Sequence, residues 1–561
     1  MTTSPPTPDD TAYDWLTRGA RSQPSAIAVA TWRDGAVRES LDFTALSALV
    51  ERAAAAMARH CRRPGDRVVL ALPNDITFTA ALLACMASGL IAVPAPEVTA
   101  EPKPAVLARL RGIVEDCRPT LVIVRARTDG CRTLLSDYDG RFVAWDDLIQ
   151  SGGPRESRQE AAGRCAVALL QYTSGSTGKP KGAILSHQAV RANCRQVAQV
   201  YQEGPHDTAV TWVPLHHDMG LVTGVLRPLF SGYTSVLLRP RDFVRAPLSW
   251  LQALTTVRGT LSSAPDFGYG LCVRRVPAED VRRLDLGSWR VARNAGETVR
   301  ANTADRFTAH FSPAGFRPEA FCPSYGMAEA TLTVATGTPD EPSLRLEVDR
   351  AALRKGRVVP SPAQAVETPS VLLSSGRPLP GTEVTVGGPH DDRTTPPGRT
   401  VGRIRIRGPQ MFSGYWSASV EGSDSGTWHD TGDIGFMYRR HLFVVGRDDD
   451  TIIQNGRNFY AVDIRTICDS IEGIRPGRCV VLTADDHMLP TPDTARICMV
   501  AEVYSSLSSS RTALAKEVRR RLADELELFV HDVELISHGE LPITTSGKPQ
   551  INEIRSRFTS R

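Results

Sequence analysis

Short apolar, β-branched runs alternate with longer amphipathic stretches along most of this chain. Such runs predict strands, and helical segments lie between them. This alternation is typical of α/β domains whose sheets are largely parallel. The predicted strands are Arg67 to Leu72, Thr120 to Val124, Ala166 to Leu170, Thr234 to Leu238 and Val401 to Ile406.

One uncharged stretch, Ile76 to Pro96, is about as long as a membrane-spanning helix. Gly89 interrupts it and prolines end it. We therefore predict a buried helix that runs into a short strand at Leu90 to Val93, and we expect no stable membrane insertion.

The clearest domain boundary is an acidic turn, Gly446 to Asp450, which follows the strand-like run Leu442 to Val445. A new apolar start and a charged helix, Ser509 to Leu526, come after it. The sequence therefore predicts a large N-terminal part, residues 1–446, and a small C-terminal part, residues 451–561, joined by residues 447–450.

Composition excludes several classes of protein. Lys plus Arg is 66 and Asp plus Glu is 62, and a net charge of +4 over 561 residues gives no indication of a nucleic-acid partner. The 11 cysteines are scattered and lack the spacing of a zinc site, as is typical of reduced thiols in a cytoplasmic protein. The polar, proline-rich start, Met1 to Asp10, argues against a secretory signal.

The first candidate chemistry is a loop rich in glycine, hydroxyl and lysine side chains, Thr173 to Gly182, directly after the strand Ala166 to Tyr172. Glycines let backbone N–H groups turn toward an anion, and the hydroxyl and ammonium groups add donors. The spacing differs from a Walker loop, so we predict another kind of phosphate-binding loop, followed by a helix at Ser186 to Val200; a flexible linker is the alternative. The candidate residues are Thr173, Ser174, Gly175, Ser176, Thr177, Gly178, Lys179 and Lys181.

This loop resembles the signature loop of the adenylate-forming superfamily, which includes acyl-CoA synthetases, luciferases, peptide-synthetase adenylation domains and fatty acyl-AMP ligases. The resemblance implies an α/β fold. A large N-terminal adenylate-forming domain, with two αβαβα-type subdomains and a small β-barrel-like subdomain, would precede a small mobile α+β C-terminal domain. It also implies that ATP and Mg²⁺ are cofactors. The other matching motifs follow in the family's order: Trp212 to Leu221, Asn294 to Glu297, Ser324 to Glu329, Thr431 to Asp433 and Leu541 to Lys548.

The resemblance implies nucleotide contacts for three of these motifs and for an arginine. Tyr325 is suited to stacking on the adenine, and Glu329 offers an oxygen ligand to Mg²⁺. Asp433 would bind the ribose hydroxyls. In isolation these residues would be read as a core aromatic, a solvated acid and a turn residue. The candidate nucleotide-binding residues are Ala295, Gly296, Glu297, Ser324, Tyr325, Gly326, Met327, Asp433 and Arg447, with Glu329 as the metal ligand.

The candidate catalytic lysine is Lys548, at the end of a Pro/Thr/Ser loop that resembles the family's C-terminal catalytic loop. A carboxylate and an α-phosphate are both anions, so a cation has to reduce their repulsion before in-line attack. The resemblance implies that Lys548 supplies this cation and that Asp449 is the hinge of the small domain. Without the family, both would be solvated surface charges.

The segment Trp212 to Leu221 resembles the wall of the family's acyl tunnel, with His217, Asp218 and Gly220 as candidate tunnel residues. Adjacent side chains such as His216 and His217 diverge, so we predict no metal site there. Asp266 is a further tunnel candidate. A buried carboxylate is costly unless it is paired or protonated, which hints at a polar acyl group.

A long stretch between Glu329 and Gly376, at about residues 340–375, resembles the insertion that marks fatty acyl-AMP ligases. A surface loop is the alternative interpretation. The resemblance therefore implies transfer of a fatty acyl group to the phosphopantetheine thiol of an acyl carrier protein. Three other functions stay open: an acyl-CoA synthetase, an adenylation enzyme for an amino or aryl acid, and a non-catalytic descendant of the fold.

Overall fold

The computed structural model describes residues 10–99, 101–102, 104–126, 141–151, 165–173, 180–360, 369–387, 400–416, 427–448, 452–454, 457–484, 496–504, 510–526, 528–543 and 549–558. The chain divides into two compact units. The first unit contains residues 1–343, 378–383 and 407–427. The second unit contains residues 344–377, 384–406 and 428–561. The predicted boundaries at residues 446 and 451 stay a prediction.

The described strands and helices alternate through most of the chain. The strands are β1 (Ile27–Arg33), β2 (Ala36–Asp42), β3 (Arg67–Ala71), β4 (Ile91–Pro94), β5 (Leu121–Val124), β6 (Arg141–Ala144), β7 (Val167–Thr173), β8 (Lys181–Ser186), β9 (Thr208–Thr211), β10 (Thr234–Leu237), β11 (Leu261–Ala264), β12 (Val291–Asn294), β13 (Phe321–Gly326), β14 (Thr333–Thr336), β15 (Arg345–Val348), β16 (Ser370–Leu373), β17 (Arg377–Pro378), β18 (Glu383–Val386), β19 (Gly402–Arg407), β20 (His429–Tyr438), β21 (His441–Arg447), β22 (Ile452–Gln454), β23 (Arg457–Phe459), β24 (Ile474–Ala484), β25 (Arg496–Val503) and β26 (Asp532–Ile536). The helices are α1 (Ala12–Ser22), α2 (Phe43–Met57), α3 (Ile76–Ala87), α4 (Pro104–Cys117), α5 (Trp145–Ser151), α6 (His187–Tyr201), α7 (Asp218–Leu221), α8 (Arg227–Ser231), α9 (Pro240–Arg245), α10 (Leu248–Thr256), α11 (Asp266–Arg275), α12 (Ala278–Val281), α13 (Ala301–Phe311), α14 (Arg350–Arg354), α15 (Ala461–Asp469), α16 (Arg511–Leu526) and α17 (Ile551–Phe558).

Mixed, mainly parallel sheets form the centre of the first unit. In the larger sheet the strand order is β17-β14-β13-β12-β11-β9-β10-β1-β2, and in the smaller it is β6-β5-β3-β4-β7-β8. The inner strands pair in parallel, whereas β2, β8 and β14 pair antiparallel with their neighbours. The predicted α/β class is confirmed, and so are the strands predicted near residues 67, 121, 167, 234 and 402.

The uncharged stretch folds as α3 followed by β4, as predicted. Asp75 caps α3, since its carboxylate accepts a hydrogen bond of 2.9 Å from the backbone N–H of Thr77. Ten of the helix's twelve residues, spread over all its faces, are buried, so the apolar pattern reflects a protein core. Among the described residues, no helix is both long and apolar enough to cross a membrane.

The sequence analysis missed one strand beside the phosphate-binding loop. The predicted helix is present as α6, and Ser186 is its N-cap, with Oγ accepting from the N–H of Ala189 at 3.0 Å. Between loop and helix, however, lies β8, which pairs antiparallel with β7 from Thr173–Lys181 to Val167–Ser186. The residues of β8 form a hairpin with β7, and this pairing is invisible in a local reading of the sequence.

The second unit contains an antiparallel sheet, β18-β19-β20-β21, and a three-stranded sheet, β24-β25-β26. The second sheet packs with α15 and α16 in a core that includes Ile464, Met499 and Leu522. Part of the stretch predicted as an insertion is ordered here: β15 pairs antiparallel with β16, and Val348 and Leu353 are buried in a core with Phe436.

Candidate active site

The candidate segments of the first unit meet at one edge of the larger sheet. Strands β9, β11, β12 and β13 are parallel neighbours, so their carboxyl ends lie together. The predicted motifs lie at these ends: Trp212 to Leu221 follows β9, Asn294 to Glu297 begins at the last residue of β12, and Ser324 to Glu329 runs from the second half of β13 into the turn after it. The candidate residue Asp266 lies two residues after β11. This edge is where open α/β sheets place their ligands.

The segment after β9 is held by a residue that the sequence analysis did not identify. Asn74 is buried, and its amide donates to the carbonyl of Val213 at 2.9 Å and accepts from the N–H of Leu215 at 2.9 Å. Gly220 lies so close to this backbone that a Cβ atom would be 2.2 Å from the oxygen of Pro214. The predicted tunnel residue Gly220 is therefore needed for a close approach of α7.

The histidines of this segment lie side by side, with ring centroids 4.4 Å apart. Burial, and then the nearby guanidinium of Arg109, lower the pKa of His216 to about 3. His216 is therefore neutral at physiological pH. His217 is the N-cap position of α7, and Asp218 is the first residue of that helix.

Asp266 is buried, and its carboxylate is already hydrogen-bonded within the chain. It accepts from Asn294 Nδ2 at 2.9 Å, from the N–H of Arg300 at 3.2 Å and from Thr303 Oγ1 at 2.8 Å. Burial, and then the charge of Glu297, raise its pKa to about 6. The carboxylate is thus paired, the condition that the sequence analysis set for a buried acid.

The loop after β12 is also held by close contacts, with the segments that follow β9 and β11. Glu297 accepts from the N–H of Phe267 at 2.6 Å, at the start of α11. Gly296 has φ +88°, and a Cβ there would be 2.9 Å from the methyl group of Met219. Ala295 is buried, and its N–H bonds to the carbonyl of Ala264 at 3.2 Å.

The Ser324 to Glu329 motif ends in a tight turn that depends on glycine. A Cβ on Gly326 would lie 1.7 Å from the carbonyl oxygen of Leu332. The hydroxyl of buried Ser324 is shared with Thr336 at 2.6 Å, and Tyr325 is also buried. The N–H of Met327 bonds to Leu332 O at 2.8 Å, which fixes the start of the 3₁₀ turn that carries Glu329.

Glu329 belongs to a cluster that the sequence analysis only partly found. Tyr415 donates its hydroxyl hydrogen to Oε1 of Glu329 at 2.6 Å. The ammonium group of Lys181 lies 5.6 Å from the centroid of the Tyr415 ring, a cation–π distance. Tyr415 was missed because it is remote in sequence; the available signal was its aromatic pair, Tyr415 and Trp416, next to Gly414.

The predicted phosphate-binding loop is described at its two ends. Thr173 ends β7 and pairs with Lys181, the first residue of β8, so the loop joins two adjacent strands. The candidates between them, Ser174, Gly175, Ser176, Thr177, Gly178 and Lys179, lie outside the described residues.

In the second unit, Asp433 and Arg447 are brought together as cross-strand partners on β20 and β21. Their charged groups are 3.6 Å apart, with Asp433 nearly buried and Arg447 half-exposed. Gly432, directly before Asp433, has φ +70°, and a Cβ there would be 2.9 Å from Nη2 of Arg447, so this position favours glycine. The candidates Asp449 and Lys548 lie outside the described residues.

Comparison with known proteins gives the family of the chain. A family model described as AMP-binding enzyme matches residues 16–416. The medium-chain-fatty-acid–[acyl-carrier-protein] ligase JamA of Moorena producens (strain JHB) is 34% identical and aligns over 88% of this chain and 86% of its own length. The 4-hydroxyphenylalkanoate adenylyltransferase of Mycobacterium marinum (strain ATCC BAA-535 / M) is 33% identical and aligns over 88% of this chain and 82% of its own length.

A solved structure supports the same assignment. It comes from studies of fatty acyl-adenylate ligases from E. coli and L. pneumophila, and it matches with 30% identity and a TM-score of 0.88, covering 99% of this chain and 98% of the other. The resemblance seen in the motifs is therefore confirmed by sequence and by fold. The chain belongs to the AMP-binding enzyme family of adenylate-forming enzymes.

Proposed function

We propose that the chain is an ATP-dependent ligase that activates a fatty or related carboxylic acid as its acyl-adenylate and transfers the acyl group to the phosphopantetheine thiol of an acyl carrier protein. The observation that carries this proposal is the cluster of Lys181, Tyr415 and Glu329 beside the phosphate-loop hairpin and at the edge where the acyl segment begins. Relatives and a matched structure with this chemistry in their names support it.

In the first step, a carboxylate oxygen of the acid attacks the α-phosphorus of ATP. The bond from that phosphorus to the bridging oxygen breaks, and pyrophosphate leaves with the electron pair. The ammonium group of Lys181, fixed next to Tyr415, offers positive charge to the phosphates. Lys548 is proposed to reduce the repulsion between the two reacting anions.

In the second step, the thiol attacks the acyl carbon of the mixed anhydride, and AMP leaves. The thiol belongs to the acceptor, so no cysteine of this chain is needed as a nucleophile.

The residues fit a phosphate-bound Mg²⁺. Mg²⁺ is commonly held through one or two carboxylates together with substrate phosphates and water. Among the described residues, no group of three or more His, Cys, Asp or Glu side chains forms a metal cage, so Glu329 matches the phosphate-assisted type. When bound, the ion would neutralise charge on the departing pyrophosphate, and the hydroxyl of Tyr415 orients the Glu329 carboxylate for it.

The acceptor proposal rests on the ordered stretch between Glu329 and Gly376. Here the chain forms β15, α14 and β16, and its guanidinium groups bond to the end of α16: Arg350 Nη1 donates to Glu525 O at 3.2 Å, and Arg354 Nη2 to the same oxygen at 3.3 Å. Such packing exceeds what a plain surface loop provides, so it favours the interpretation of this stretch as the insertion that marks fatty acyl-AMP ligases. That interpretation in turn favours a carrier protein over free CoA as the acceptor of the acyl group.

The proposal is tested by mass spectrometry of the products from ATP, Mg²⁺ and a mixed acid library, with CoA or with a phosphopantetheinylated carrier protein. We expect acyl-AMP in both reactions and acyl transfer to the carrier. Acyl-CoA as the main product would establish the synthetase alternative, and absence of AMP and pyrophosphate with every acid would contradict the proposal.

Two variants test the roles proposed for the charged side chains of Lys548 and Glu329. Lys548→Ala is expected to reduce adenylate formation by about two to three orders of magnitude while ATP binding stays measurable by calorimetry. Glu329→Gln is expected to weaken the response of pyrophosphate release to Mg²⁺. Glu279→Gln, an exposed glutamate on α12, is the matched control and should leave both readouts unchanged.

A further inference from the structure

A small cavity lies between the larger sheet and the helical segment that follows Asp218. It has room for about one water molecule. Thr211 comes directly before the segment Trp212 to Leu221, and Thr223 comes shortly after it, so residues on both sides of the proposed acyl segment line the cavity. Its lining also includes the apolar residues Ala209 and Val291 and the polar residues Tyr201, Arg227, Tyr233 and Ser263.

A buried ion pair fixes one wall of this cavity. Arg227 pairs with Glu203, and the side chains of both are almost fully excluded from solvent. The hydroxyl groups of Ser231 and Tyr233 donate to the Glu203 carboxylate at 3.4 and 3.3 Å, and the Arg227 guanidinium lies 5.3 Å from the Tyr201 ring centroid. The charge of Arg227 is therefore balanced and its position is set.

Arg293 adds a second positive charge on the face of the larger sheet that borders the cavity. It pairs with Ser263 in the parallel register of β11 and β12, and Ser263 lines the cavity. Paired residues on neighbouring strands point to the same face. Arg293 is 1% exposed, and its charge interacts with those of Arg227 and Asp218.

The Arg293 guanidinium is incompletely hydrogen-bonded. Its Nη2 donates to Thr333 Oγ1 at 3.2 Å. Within the part of the chain that the structure describes, its Nε and Nη1 have no hydrogen-bond partner. Burying donors of a charged group without acceptors is costly, and burial lowers the pKa of Arg293. The Arg293 guanidinium thus has two donors that no acceptor among the described residues satisfies.

Building on the proposed adenylation function, we propose that the acid carries a hydrogen-bond-accepting oxygen on its tail, as an oxo or a carboxylate group, and that Arg293 binds this oxygen and selects for it. The cavity is lined by Ser263, the strand partner of Arg293, and its volume suits a group of one oxygen's size. A plain alkyl tail would leave the Arg293 donors unpaired, and sites built to hydrogen-bond a substrate reject analogues that lack the partner.

The test compares acids of equal length in pyrophosphate-release assays of the full chain: saturated, oxo-substituted and ω-carboxylated acids with six, eight and ten carbons. The wild-type enzyme is expected to prefer an acceptor-bearing acid by at least about tenfold in kcat/KM. Comparing the oxo-substituted acids with the ω-carboxylated acids shows whether the accepting oxygen belongs to an oxo or to a carboxylate group. Equal or better use of the saturated acids at every length would overturn the proposal.

The variant Arg293→Met removes the donors at similar volume. Its kcat/KM is expected to fall about tenfold or more for the preferred acid and to stay level or rise for the saturated acid. Arg306→Met is the matched control, since Arg306 is an exposed arginine on α13 and does not line the cavity; it should leave the ratio between acids unchanged.

Equal losses for all acids in Arg293→Met would show a merely structural role and overturn the proposal. If that variant does not fold, the wild-type comparison decides alone. Failure of the adenylation function is a separate result, in which no acid of any class releases pyrophosphate.

Discussion

Replacing Asp266 by asparagine is expected to stabilise the protein at neutral pH, and the gain should disappear in acid. In the folded chain the pKa of Asp266 is about 6, against 3.8 for an ordinary aspartate, because the side chain is buried and lies near Glu297. Below pH 4 both states hold the proton and the group contributes nothing. As the pH rises from 4 to 6 the unfolded state releases its proton first, so stability falls.

The size of the effect follows from the shift of about two pKa units. At about 1.4 kcal/mol per unit, ionised Asp266 lowers stability by up to about 3 kcal/mol above pH 6. Asparagine is neutral and of the same shape, and its carbonyl oxygen still accepts from Asn294 Nδ2 and from the N–H of Arg300. The hydroxyl of Thr303 is then in place to accept from the new amide.

The assay is urea unfolding of the wild type and Asp266→Asn at pH 4.5 and 7.5. We expect the variant to gain up to about 3 kcal/mol at pH 7.5 but only about 1 kcal/mol at pH 4.5, where the unfolded state has released most of its proton and the folded state has not. Asp305→Asn, on the exposed side of α13, removes the same charge without burial and serves as the control. A difference that does not change with pH, or that favours the wild type at pH 7.5, would refute the reasoning.

Three further changes have defined outcomes. Gly220→Ala places a methyl group 2.2 Å from Pro214 O, so we expect a raised KM for the acid in pyrophosphate-release assays, with the KM for ATP little changed. Tyr415→Phe removes the hydrogen bond to Glu329, and because bonds to charged groups contribute about 1.5–3 kcal/mol, kcat should fall roughly tenfold or more. Leu514→Ala in the core of the second unit should cost about 2–5 kcal/mol, seen as faster hydrogen exchange in α16 and β25 but not in β3.

The strands of the first unit were predictable because each is a short apolar run that is buried between helices. The predicted run Arg67 to Leu72 and the helix-to-strand reading of the uncharged stretch are both confirmed. β8 was missed because it is defined by its pairing with β7 across the loop. Its own residues show no periodicity that would predict a strand.

The chemistry of single residues was less predictable, because it depends on partners far away in the chain. The motif identified Glu329, but the hydroxyl that orients its carboxylate comes from Tyr415. Asp266 was recognised as an unusual buried acid, whereas its donors come from Asn294 and Thr303. The buried charge of Arg293 carried no signal at all, since a lone arginine in a short strand is indistinguishable from an edge residue.

Helix α6 begins at the hairpin that bears the phosphate-binding loop and ends at Tyr201, which borders the cavity. At about 1.5 Å per residue, its fifteen residues form a stiff rod of roughly 22 Å. Displacement at one end is therefore transmitted to the other, so an acid that displaced Tyr201 would also move the support of the predicted phosphate-binding loop. A variant that changes the acid specificity at this end of the helix should therefore have its KM for ATP measured again, even though the substituted side chain would not contact the nucleotide.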